Sequence, residues 1–148
     1  MGLFDKIFNV QNKTQESLSP AEAFGSLMLA AIASDGYLSD EELNGLITSL
    51  NRMQMYKSFP ADVMRRMFDK LFGILRRDGA EALFIGAKDS LPFELRESAF
   101  AVATDLILSD GVVTEQEQQF LNQLYQALEI ADETATKIVE VMMIKNRG

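Results

Sequence analysis

A helix-start signal occurs three times in this chain, at Ser19-Pro20-Ala21-Glu22, Ser39-Asp40-Glu41-Glu42 and Thr114-Glu115-Gln116-Glu117. In this signal the hydroxyl accepts a bond from the third helical N–H, and the Glu accepts one from the capping residue's own N–H. Each signal is followed by apolar residues at helical spacing, and no segment alternates as a strand does. The sequence therefore predicts an all-α, single-domain bundle.

The caps, prolines and glycines divide the chain into about seven predicted helices. They cover about 20–34, 39–55, 60–78, 80–89 and 92–109, then one opening at Thr114 and one capped by Asp132 that reaches about 145. The fifth is apolar on nearly every side, which predicts that it is the buried central element.

Composition excludes several classes of function. The 148 residues include no cysteine and no histidine, so thiolate and histidine catalysis are excluded and any metal has only oxygen ligands. No nucleophile or phosphate loop accompanies the carboxylates, which argues against an enzyme. A formal net charge of −8 disfavours nucleic acid. The longest apolar run, residues 27–33, is too short to span a bilayer, and no export signal is evident, so we expect a cytoplasmic protein.

Residues 1–19 are expected to stand apart from the helical domain at 20–148. Leu3, Phe4, Ile7 and Phe8 form an apolar stripe at helical spacing, and residues 11–19 form a polar linker. The stripe either docks on a membrane surface or partner, or packs on its own domain or frays. The sequence favours the second interpretation, and peripheral membrane contact through residues 2–10 is not favoured.

An internal repeat relates the two halves of the chain. A shift of 75 residues lays IASDGYLSDEEL, from Ile32, over ILSDGVVTEQEQ, from Ile107. Each copy ends one helix and starts the next, which predicts two pseudo-repeated helix-turn-helix halves with their acidic turns close together.

The repeated motif is similar to the second half of an EF-hand calcium loop. With Gly36 and Gly111 at the loop glycine, the aspartates before them and Glu42 and Glu117 fall at ligand positions. The first-half ligands are missing, so a site would need both turns or water. The alternative is that both glutamates are only helix caps.

Asp105 lies in an otherwise apolar segment, where an unpaired carboxylate is costly to bury. It therefore needs a cation, a raised pKa or a basic partner, for which the candidates are Arg65, Arg66, Arg76 and Arg77.

Together, SDGYLSDEE, SDGVVTEQE, Asp105 and the closing LEIADETATKIVEVM segment resemble the TerB family of tellurite-resistance proteins, over about residues 20–145. The resemblance implies a cytoplasmic helical bundle that acts in tellurite or wider stress responses through partner proteins. It also implies a divalent-cation site, for which we expect calcium first and magnesium second. The matching acidic positions are Asp35, Glu42, Asp105, Asp110 and Glu117. The alternative function is a protein–protein adaptor whose acidic surface docks a basic partner, with purely structural turns.

Overall fold

The computed structural model describes residues 18–34, 39–109 and 111–147, and within them it contains seven α-helices and no strand. The helices are α1 Pro20–Ile32, α2 Asp40–Asn51, α3 Ala61–Asp78, α4 Ala80–Ser90, α5 Arg96–Leu108, α6 Glu115–Ala127 and α7 Asp132–Lys145. Short 3₁₀ turns, Gln54–Tyr56 and Phe93–Leu95, precede α3 and α5. The prediction of an all-α bundle of about seven helices is confirmed. Residues 1–17, which carry the N-terminal apolar stripe, lie outside the described residues, as do Asp35 and Asp110.

The central element of the bundle is α1, so the prediction that the fifth helix would be central is wrong. Every residue of α1 from Ala23 to Ile32 is buried, whereas α5 buries only one face. Small side chains along α1, in the sequence AEAFGSLMLAAI, let neighbouring helices approach it from all sides. Arg96, Glu97 and Asp105 keep part of α5 towards solvent, because charged groups are costly to bury.

The three predicted capping boxes are all present, at the starts of α1, α2 and α6. In α1 the Ser19 N–H donates to Glu22 at 3.0 Å, and Lys70 of α3 donates to the same carboxylate at 3.0 Å. Burial raises the pKa of Glu22, but these two donors outweigh it, so the net pKa is lower than usual. The ion pair between Glu22 and Lys70 thereby links the N-terminal cap of α1 to α3.

Two predicted helix ends are corrected. The second helix ends at Asn51 rather than near residue 55. The chain leaves the helical path there, and the 3₁₀ turn Gln54–Tyr56 brings the Tyr56 side chain into contact with α1. There the buried Tyr56 hydroxyl donates to the Ala21 carbonyl at 2.6 Å. Asp132 does not cap α7: Ala131 is the capping residue, and Asp132 is the first helical residue. At that position its charge still interacts favourably with the helix dipole.

The connection from α6 to α7 is a Schellman turn with a glutamate in the left-handed position. Glu129 has a φ of 59°, and the Ile130 N–H donates to the Tyr125 carbonyl at 2.9 Å. Arg96, at the start of α5, donates to the Leu128 carbonyl at 3.1 Å. These bonds fix the direction in which α7 leaves, and α7 then packs along α5. Among the described helices, none is long and apolar enough to cross a membrane.

Candidate functional site

Three of the five predicted acidic residues line one groove, which we call the acidic groove. Glu42 comes from α2, Asp105 from α5 and Glu117 from α6, around a volume of about 410 Å³. The other lining residues are Ile32, Glu41, Gly45, Leu46, Ser49, Leu106, Ile107, Ser109, Lys145 and Asn146. Glutamates from both copies of the repeated motif therefore meet in one place. A pseudo-twofold relation between the halves stays a prediction.

Glu42 and Glu117 each use one carboxylate oxygen to cap a helix. Oε1 of Glu42 accepts from the Ser39 N–H at 3.1 Å, and Oε1 of Glu117 accepts from the Thr114 N–H at 2.9 Å. Glu117 is only 8% exposed, so its carboxylate is held firmly in place. All hydrogen bonds that described residues donate to the Glu42 and Glu117 carboxylates end on Oε1. The Oε2 atom of each carboxylate is therefore the oxygen that could bind another partner.

Asp105 is paired with the end of α7. Its Oδ1 accepts from Lys145 Nζ at 3.1 Å and from Asn146 Nδ2 at 2.7 Å, and its side chain is 30% exposed. The expectation of a basic partner is met by Lys145, not by any of the four arginines of α3 that the sequence suggested. The reason is tertiary: α7 packs along α5, while α3 packs against α1 and α4.

The oxygen donors of the acidic groove suit a hard divalent cation, but they are not assembled into a coordination shell. Within residues 18–34, 39–109 and 111–147, no three acidic side chains are grouped closely enough to hold a metal ion. The described groove is lined by four carboxylates, those of Glu41, Glu42, Asp105 and Glu117, and by one ammonium, that of Lys145. It therefore has a formal excess of three negative charges. It can attract cations, and a cation bound at Asp105 would compete with the Lys145 ammonium for that carboxylate.

The chain matches no protein-family model, and it has no significant match among curated proteins or solved structures. The likeness to the TerB family therefore depends on the motifs quoted above.

Proposed function

We propose that this chain is a non-enzymatic, TerB-like protein that binds a divalent cation in the acidic groove and acts in a tellurite or wider stress response. The observation that carries the cation proposal is the convergence of Glu42 and Glu117, from the two motif copies, beside Asp105. The stress role is supported by the motif resemblance alone.

The capping bonds and a ligand role are compatible. Glu42 and Glu117 would hold the cation through Oε2 while Oε1 keeps its bond at the helix start. Asp105 would contribute its carboxylate in competition with the Lys145 ammonium. Asp35 and Asp110 directly precede the motif glycines in sequence and would supply further carboxylates. Calcium takes six to eight oxygens and tolerates irregular geometry, so it comes before magnesium, which demands an octahedron.

A second candidate is the adaptor function, favoured by the Lys145 ammonium that already lies against Asp105. A groove that accepts a lysine of its own chain can accept one from a basic partner protein. Its volume of about 410 Å³ also leaves room for a side chain. Such binding would weaken steeply with salt, because exposed ion pairs are screened.

The test is calorimetric titration of metal-stripped protein with calcium and magnesium, comparing Glu117→Gln with the parent. The amide oxygen of glutamine can accept the same Thr114 bond, so unfolding free energy should change by less than about 1 kcal/mol. Calcium affinity should fall at least about tenfold, or about 1.4 kcal/mol. Glu115→Gln is the matched control, because Glu115 lies in the same helical turn but is exposed and outside the groove.

Asp110→Asn should weaken calcium in the same way, since asparagine also suits a turn. If Glu117→Gln and Asp110→Asn both bind calcium like the parent, these carboxylates are caps and turn residues. Salt-sensitive binding of a basic partner would then favour the adaptor.

A further inference from the structure

A second groove runs between α4 and α6, on a different set of residues from the acidic groove. Phe84 and Ile85 of α4 and Phe120 of α6 are its apolar residues, and its volume is about 590 Å³. The other lining residues are Ala30, Ser34, Ala80, Glu81, Gln116, Gln119 and Gln123. We call it the α4–α6 groove.

The α4–α6 groove has the composition of a surface that receives a chain segment. The rings of Phe84 and Phe120 meet edge to face at 5.8 Å, and Ile85 is 52% exposed beside them. Three glutamines, at spacings of three and four along α6, place neutral amides along one wall. Among the described residues of this lining, Glu81 is the one charged residue, and the other polar groups are uncharged. An apolar centre with a mainly uncharged border favours an amphipathic occupant of low net charge over a strongly charged one.

We propose that the N-terminal apolar stripe of this chain, Leu3, Phe4, Ile7 and Phe8, occupies the α4–α6 groove. In a helix, the spacing of these four positions would place their side chains on one face. Residues 1–10 contain one acidic and one basic side chain, so the segment avoids the repulsion that the chain's net charge of −8 imposes on anionic partners.

The tether is long enough. The Leu18 N–H lies 3.4 Å from Ser90 Oγ, so the chain enters the described structure beside the C-terminal end of α4. The 11 residues of α4 span about 16 Å. The linker from Phe8 to Leu18 can extend to about 30 Å, which exceeds the distance along the whole helix. Tethering also gives the stripe a local concentration in the millimolar range, which a separate partner must exceed.

The chain has no cysteine, so a nitroxide on Asn9→Cys reports on one position only. In the full-length protein, the label should broaden the amide resonances of Ile85, Gln119 and Gln123. The comparison surface is the exposed apolar patch of α7, Val141, Met143 and Ile144, whose resonances should stay sharp.

Ile85→Glu should lower the equilibrium constant for docking about tenfold, which corresponds to about 1.4 kcal/mol, and the broadening of Gln119 and Gln123 should weaken. Val141→Glu is the matched control, because its side chain is similarly exposed at 56%, and broadening should persist. Replacing both phenylalanines, Phe4→Ser with Phe8→Ser, should abolish broadening without touching the described fold.

Three outcomes would overturn the proposal. One is equal broadening of the groove and the α7 patch. Another is broadening that appears only between spin-labelled and isotope-labelled copies in a mixture, which would identify a second copy as the occupant. The third is a label that is immobilised on phosphatidylserine vesicles while the groove resonances of the vesicle-free protein stay sharp, which would identify a membrane segment.

Discussion

Replacing Lys145 with methionine tests whether Asp105 contributes to cation binding. Lys145→Met keeps most of the side-chain volume and removes the ammonium that lies 3.1 Å from Asp105 Oδ1. Asn146 still donates to the same oxygen at 2.7 Å, so the carboxylate keeps its position. If Asp105 is a ligand, the variant should bind calcium more tightly than the parent.

Two contributions set the size of the effect. The ion pair is partly exposed, at 58% for Lys145 and 30% for Asp105, so breaking it to free the carboxylate costs the parent about 0.2–1 kcal/mol. A unit charge about 6 Å from a divalent cation adds roughly 1.4 kcal/mol of repulsion in water, which physiological salt about halves. The sum is about 1–1.5 kcal/mol, so calcium affinity should rise about five- to tenfold.

The assay is calorimetric titration of metal-stripped protein with calcium at fixed ionic strength. Lys137→Met is the control, because Lys137 lies on the same helix and pairs with Glu133 at 3.5 Å, outside the acidic groove. It removes the same charge and should change affinity less than about twofold. Equal affinities of Lys145→Met, Lys137→Met and the parent would refute the assignment of Asp105 as a ligand.

Three further predictions concern stability. The lowered pKa of Glu22 means that its bond to Lys70 stabilises the fold above the unfolded pKa of about 4.3, and that this stabilisation is lost as pH falls through the folded value. Glu22→Gln keeps the cap, so it should cost about 0.5 kcal/mol at pH 7 and flatten the acid limb of the pH–stability curve; an unchanged limb would contradict this. Glu129→Gly relieves about 1 kcal/mol of left-handed strain but loses the 3.6 Å ion pair with Arg96, in which the Glu129 side chain is 72% exposed. The thermal midpoint should rise by about 2 °C, and a lower midpoint would contradict this reasoning. Deleting residues 1–17 should leave unfolding cooperative, and loss of the transition would place the stripe in the core.

The helix starts could be predicted from the sequence because capping is a local interaction. Ser39 with Glu42, and Thr114 with Glu117, carry both partners of each bond within four consecutive residues. The end of α2 could not be predicted in this way. It depends on the Tyr56 hydroxyl reaching Ala21, 35 residues away in sequence, and no local pattern reports such a contact.

The depth of a helix in the core is also not a local property. The segment from Pro92 to Ser109 is apolar on most sides and was predicted to be central, yet α7 covers only part of it and Asp105 stays partly exposed. The small residues of α1 are the signal that was missed. Alanine, glycine and serine along one helix allow close approach of several neighbours. In addition, no residue of α1 from Ala23 to Ile32 is charged, whereas α5 carries Arg96, Glu97 and Asp105.

The acidic groove was predictable in part. The repeat in sequence indicated that Glu42 and Glu117 would come together, and both line the groove. The pairing of Asp105 with Lys145 was not indicated, because it depends on how α7 lies along α5. The sequence offered the four arginines of α3 as partners, but packing places that helix against α1 and α4.

Charge balance at the acidic groove favours the proposed divalent cation over a second ammonium. Two helices, α2 and α6, begin at the groove, while α1, α5 and α7 end there, since Ile32, Ile107 and Lys145 line it. A helix N-terminus carries about +0.5 charge and a C-terminus about −0.5, so the backbone contributes only about −0.5 in total. The side chains therefore decide the field, and their formal excess of three negative charges already includes Lys145. One more ammonium would leave about two of these charges unneutralised, whereas a divalent cation would leave about one.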